Sequence, residues 1–220
     1  MKEKIIGWIK ANPHCLVLSY FIVYVIWFFS LEFYVEPKYW IVCPWDAHIP
    51  FCEYFIVPYA LWFPYFIGGL AYFLFKHKEL FLKLCFVMFT GMTICLTVYS
   101  FWPNAINLRQ EIVGTNLFCQ LAGLVRAVDT PTNVCPSIHV ASTVAVHWAV
   151  NRYQGFRRPT LIKALSLLLA VSICASTVFL KQHSIVDVFC GVLLTAALVL
   201  LVRIYEFVKR KRVSGHLNHC

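Results

Sequence analysis

Six apolar runs, each near the length that crosses a lipid bilayer, divide this chain and leave room for little else. They cover about Cys15 to Phe33, Tyr54 to Phe75, Leu84 to Phe101, Pro136 to Val150, Ala164 to Leu180 and Ser184 to Tyr205. Roughly 20 residues at 1.5 Å each span the hydrocarbon, and a span must satisfy its backbone internally, so helices are required. Only 13% of the 220 residues are charged and 60% are hydrophobic, whereas a soluble domain carries about 25% charge. The expected fold is all-α: a polytopic, multi-pass membrane protein built as a six-transmembrane-helix bundle. One membrane domain covers 1–220, with a basic N-terminal segment at 1–14 and a basic tail at 206–220. The first run is too long for a signal peptide and lacks a small-residue cleavage site, so a retained span is expected. The polar interval Pro103 to Cys135 is too polar to span. Within it GTNLFCQLAGLVRAV has the apolar spacing of a short surface helix.

The net charge of +9 suggests nucleic acid in a soluble protein, but its placement argues against that partner. If the N-terminus is cytoplasmic, the basic segments around Lys2–Lys10, Lys76–Lys83, Arg152–Lys163 and Arg203–Arg212 all fall on one side. They hold 15 of the 19 Lys and Arg. The other side keeps Lys38, Arg109, Arg126 and Lys181. That asymmetry is the positive-inside pattern and places both termini in the cytoplasm. The tail Lys209-Arg210-Lys211-Arg212 then reads as a topology signal near anionic lipid. Ten cysteines are scattered with no CxxC pair, which supports neither a zinc site nor a redox motif. Cys43 and Cys52 share one external loop and could pair.

Topology also gathers chemistry. The stretch DTPTNVCPSIHVA (Asp129 to Ala141) ends a polar loop and enters the fourth run. Pro136 suits the first helical position, which puts Ser137, Ile138 and His139 in a first turn whose free N–H groups attract an anion. Forty-four residues after His139 comes His183-Ser184-Ile185-Val186-Asp187, at the start of the sixth run. In a six-span layout both starts emerge on the external face, with Arg109, Arg126 and Lys181. His183 and Asp187 are four apart, so one helix face can hold a carboxylate beside an imidazole and leave the other nitrogen free to attack. His139 can give a proton to a leaving oxygen. Arg109 offers a fork for phosphate oxygens, and Ser137 completes an anion cradle. The set describes phosphoryl transfer through a phosphohistidine, with no metal and no cofactor. His147, eight residues past His139, reads as a packing or hydrogen-bonding residue. Arg126 is suited to pair with Asp129 or Glu111.

These motifs resemble the type 2 phosphatidic acid phosphatase (PAP2) superfamily of integral-membrane lipid phosphatases and phosphotransferases. Its PSGH motif stands here as Pro136-Ser137-Ile138-His139, and its SRxxxxxHxxxD motif as Ser176-Thr177, then His183 and Asp187. The similarity covers about Pro44 to Gly191. It implies that His183 is the nucleophile, Asp187 its orienting partner and His139 the general acid, with Arg109, Ser137, Ser176 and Lys181 around the phosphate. The chain departs from the pattern where the first motif has Lys and Pro, here Trp102 and Gln110, and where the last has Arg, here Thr177. Two cations are missing, which also looks like the sphingomyelin synthase and inositol-phosphoceramide synthase branch. The expected function is hydrolysis of a phospholipid or isoprenoid phosphate in the outer leaflet of the cell membrane, on its extracytoplasmic face. The alternative is transfer of a phospho-headgroup to a lipid acceptor, and a third reading is a non-catalytic lipid-binding protein. Oligomeric state is not legible in the residues.

Overall fold

Helices follow where the apolar runs lie and end where capping residues or prolines stop them. The structure, a computed structural model, describes residues 2–217; Met1 and the last three residues of the expected basic tail lie outside them. Helix α1 (Lys2–Ala11) leads through a 3₁₀ segment at Pro13–Ser19 into α2 (Tyr20–Tyr34). A loop with 3₁₀ turns at Pro44–His48 and Glu53–Phe55 precedes α3 (Ile56–Ala60) and α4 (Trp62–Lys76). Then come α5 (Lys78–Phe101), α6 (Leu117–Val128), α7 (Ile138–Arg152), α8 (Pro159–Phe179) and α9 (Ile185–Leu217). Starts are capped as the side chains allow: His77 accepts from the Leu80 N–H, Asn116 from Cys119 and Ser137 from Val140. Each cap satisfies one of the four free N–H groups at a helix start.

Five helical segments are long and apolar enough to cross a membrane: Pro13–Tyr34, Glu53–Lys76, Lys78–Phe101, Pro159–Phe179 and Ile185–Arg212. The fourth apolar run is the exception. Its helix, α7, has 15 residues, about 22 Å at 1.5 Å per residue, short of the length expected for a span. The run itself, Pro136 to Val150, is no longer than this, and the helix lies two residues further on. Pro136 stays outside the helix, and the Ser137 hydroxyl takes the Val140 N–H, making Ser137 the cap and Ile138 the first helical residue. Pro136 is therefore not the first helical residue, as the sequence pattern suggests; its carbonyl accepts from the Tyr99 hydroxyl at 2.5 Å.

Short as it is, α7 is the axis of the bundle. It packs on α4, α5, α8 and α9 and buries residues all around its circumference, among them Val140, Ala141, Thr143, Ala145, Val146 and Ala149. Small side chains let its neighbours come close. A Cβ added at Gly191 of α9 would meet the Ser137 carbonyl oxygen at 2.9 Å, a contact only glycine permits. By contrast α2, α8 and α9 turn Ile22, Ile26, Leu168, Leu193 and Leu200 outward. An apolar exterior around a small-residue axis suits a lipid solvent, in which helices associate by close packing.

Among the described residues the only strands are β1 (Tyr39–Trp40) and β2 (Asn104–Ala105), two residues each and paired in parallel. An isolated bridge joins Ala105 to Thr132. This small exception to an all-α chain ties the loops after α2 and α5 to the segment entering α7. The nine described cysteines are all free, Cys43 and Cys52 included. Helix α6 occupies the polar interval as its spacing suggests, and His147 hydrogen-bonds Ser166 at 3.1 Å.

Candidate active site

The starts of α7 and α9 meet at one end of the bundle. The Ser137 N–H donates to the Asp187 carbonyl at 3.2 Å, and the Thr195 hydroxyl of α9 reaches the Ala141 carbonyl of α7 at 3.0 Å. His183 lies just ahead of α9 rather than within it. Ser184 is the cap: its hydroxyl accepts from the Val186 N–H at 3.2 Å, while Asp187 Oδ2 accepts from the Ser184 N–H at 2.8 Å. This is a variant of the capping box: Ser184 takes the N–H of the second helical residue, and Asp187, the third, reaches back to the Ser184 N–H in place of the usual Glu. It brings the carboxylate beside His183, whose Nδ1 lies 3.4 Å from Asp187 Oδ2. The cap, not a shared helix face, pairs the two.

His183 Nε2 faces the other way, 3.1 Å from Ser137 Oγ and 3.4 Å from His139 Nδ1. His183 is 5% exposed, and Asp187 and Ser137 are fully buried. His139 sits among aromatic rings, with centroids 4.3 Å from Trp62 and 4.9 Å from Tyr59. The set can present one imidazole nitrogen to a reacting atom and hold its other nitrogen by a carboxylate, with a second imidazole alongside. That is the arrangement of an oriented nucleophile and a neighbouring acid or base.

The structure sorts the expected phosphate contacts. Arg109 donates to the carbonyls of Arg126 at 3.2 Å and Asp129 at 2.5 Å, and to Gln182 Oε1. All three acceptors are neutral, and its buried Nε has no protein partner. Burial lowers its pKa from the ordinary guanidinium value, as expected for a cation whose charge is incompletely offset. Lys181 and Ser176 are engaged elsewhere. The Lys181 ammonium donates to the Asp46 carbonyl at 2.7 Å, and burial lowers its pKa too. Ser176 donates to the Ile173 carbonyl of its own helix at 2.6 Å. Arg126 reaches the Gln110 and Leu180 carbonyls and lies over the Phe51 ring, not against Asp129 or Glu111.

Several residues around the site carried no signal in the sequence. Asn104 holds the loop before α7, accepting from the Val134 and Cys135 N–H groups at 3.0 and 2.8 Å. Glu32 of α2 accepts from Thr130, Thr132 and Asn133 on the same loop. Tyr59 donates to Asp129 Oδ2. Asp46 meets the start of α9 from 138 residues away. Each is a lone polar residue in an apolar or aromatic context, and spacing along the chain does not show what it reaches. Among the described residues, no cluster of three His, Cys, Asp or Glu side chains could hold a metal ion.

A family model described as PAP2 superfamily matches residues 14–211. No curated protein and no solved structure matches the chain.

Proposed function

The chain belongs to the PAP2 superfamily, and from that premise we propose that it is a membrane lipid phosphatase working through a phosphohistidine at His183. The observation that carries this reading is the placement of His183 Nε2, 3.1 Å from Ser137 Oγ and 3.4 Å from His139 Nδ1, with Asp187 behind Nδ1. In the first step a bound phosphate parts the two imidazoles. His183 Nε2 attacks phosphorus, the P–O bond to the lipid breaks, and His139 gives its proton to the leaving oxygen. A phosphate beside His139 favours the protonated form that this role needs. In the second step His139 takes a proton from water, the resulting oxygen nucleophile attacks phosphorus, and the P–N bond breaks to restore His183. Asp187 stabilises the imidazolium character of His183, and Ser137 with Arg109 holds the phosphate oxygens.

One observation favours a second reading. Thr177 stands where the family has arginine, and Lys181 is committed to the Asp46 carbonyl, so of the two expected phosphate cations only Arg109 keeps a buried N–H, at Nε, without a protein partner. A phosphodiester carries one charge where a monoester carries up to two, and a pocket with few cations suits the diester. The second step would then use a lipid hydroxyl in place of water, transferring a phospho-headgroup to diacylglycerol or ceramide. The purified protein should be incubated with a phosphatidic acid, and separately with a choline phosphodiester lipid plus ceramide, each after exhaustive chelation. Free phosphate from the first mixture supports the hydrolase, and a new headgroup lipid from the second supports the transferase. Activity that requires an added divalent metal would sink both mechanisms.

The bundle is proposed to be one domain with six membrane crossings, α7 included, both termini in the cytoplasm and the histidine pair toward the outside. The charge asymmetry supports this orientation. The end of the bundle away from the histidines holds Lys83 and Arg152 around Glu206, with Lys76, Arg157 and Arg158 nearby in sequence. Val113, in the loop before α6, is 89% exposed. In a background with Cys43 and Cys52 changed to serine, V113C should react with an impermeant maleimide added outside intact cells. Reaction only after the membrane is opened would reverse the topology.

A further inference from the structure

Asp46 carries a carboxylate that is 1% exposed, in a 3₁₀ turn otherwise made of Pro, Trp, Ala and His. Such a buried charge requires strong partners, and all of its contacts are to the start of α9. Asp46 Oδ2 accepts from the Ser184 hydroxyl at 2.6 Å, and Oδ1 from the Ile185 N–H at 2.9 Å. Its backbone carbonyl accepts from Lys181 Nζ. Lys181 has φ 59°, a left-handed conformation that a long side chain rarely adopts, so the chain on both sides of His183 is fixed against the same residue.

The hydrogen bonds at this helix start show what Asp46 does. Four N–H groups from Ser184 to Asp187 need acceptors outside the normal helical ladder. Ser184 N–H goes to Asp187 Oδ2, Val186 N–H to Ser184 Oγ and Asp187 N–H to the Ser184 carbonyl. The Ile185 N–H goes to Asp46. Asp187 Oδ1 is buried and has no partner, while Oδ2 accepts from the Ser184 N–H and lies 3.4 Å from His183 Nδ1, a nitrogen with no other partner. Were Asp46 absent, Ile185 N–H would be left without an acceptor next to a carboxylate with one unused oxygen. Turning the Asp187 carboxylate to meet that N–H would draw Oδ2 away from His183 Nδ1.

We propose that Asp46 is a positioning residue for the histidine reaction: by holding Ser184 and Ile185 it keeps the Asp187 carboxylate on His183. The inference rests on the phosphohistidine reading given above. Asp46→Ala should lower kcat by about 100-fold, the scale of a catalytic group displaced by about 1 Å, with KM little changed because Asp46 touches no substrate. Asp46→Asn, which keeps an acceptor for Ile185 N–H, should restore much of the loss.

The deciding measurement is a double-mutant cycle, read as the single-turnover rate of phosphoenzyme formation from radiolabelled dioctanoyl phosphatidic acid by the detergent-purified full chain. If Asp46 acts through Asp187, Asp46→Ala should have little further effect in an Asp187→Asn background. Equal losses in both backgrounds, no loss in the wild-type background, or a rise in KM at unchanged kcat would each overturn the proposal. Should Asp46→Ala fail to fold, Ser184→Ala takes its place in the same cycle, with the same non-additivity expected. His183→Ala is the control for the parent reading. If that variant still labels, or the wild type never does, the phosphohistidine reading falls and this inference with it. If labelling depends on His183 but not on Asp46, only the inference falls.

Discussion

Replacing His183 with alanine is expected to lower turnover by more than about 10⁴-fold, the scale on which loss of a covalent nucleophile is felt. The acid-labile phosphoenzyme should vanish with it. The size of the effect follows from geometry: His183 alone has one ring nitrogen against the buried Asp187 and the other toward Ser137 and His139. His139 has no such ion pair among the described residues, and the rings of Trp62 and Tyr59 flank it instead. The fold should tolerate the change. The side-chain contacts of His183 are to site residues, while the loop is held by its backbone, with the His183 N–H on the Thr177 carbonyl at 3.0 Å. The check is phosphate release together with acid-quenched labelling of protein that stays monodisperse in detergent. Turnover within tenfold of the wild type would refute the nucleophile assignment.

Asn104→Ala should have the largest effect on stability. Asn104 is fully buried, and its side chain takes the Val134 and Cys135 N–H groups while donating to the Trp102 and Cys135 carbonyls at 3.0 Å. Truncation leaves three buried backbone groups of the loop without partners, at about 1–3 kcal/mol each. A loss of about 3–5 kcal/mol is expected, or roughly 10 °C in melting temperature for a chain of this size. Activity should fall as well, since this loop delivers Ser137 and His139. Asn104→Asp keeps the two acceptors but sets a carboxylate against the Cys135 carbonyl, so it should also destabilise. Melting in detergent, followed by tryptophan fluorescence, tests both variants; a shift under about 2 °C for Asn104→Ala would show that the loop is held otherwise.

The meeting of the two histidine motifs was legible from residue type and order. Ser137, His139, His183 and Asp187 stand at the starts of two apolar runs, and alternating spans bring those starts to one end whatever the packing. The phosphate contacts were less so. Lys181 has the right charge and place in the chain, but its ammonium turns to the Asp46 carbonyl. Ser176 fits a motif and bonds its own helix. Whether a polar side chain faces a ligand or satisfies a neighbouring backbone group depends on the groups left unpaired nearby, and those come from distant segments. The fourth run, Pro136 to Val150, is itself only 15 residues long, and the cap at Ser137 moves the helix two residues along the chain without changing its length.

By itself the sequence determined a helical chain with several lipid-length segments, the charge bias along it and the two histidine motifs, because burial in lipid and helix periodicity are local properties. Tertiary structure decided which helix forms the axis and which side chains hold the site in place. Asp46, Glu32 and Asn104 are lone polar residues far along the chain from the backbone groups they satisfy, and only close packing around the small residues of α7 brings them within hydrogen-bond reach.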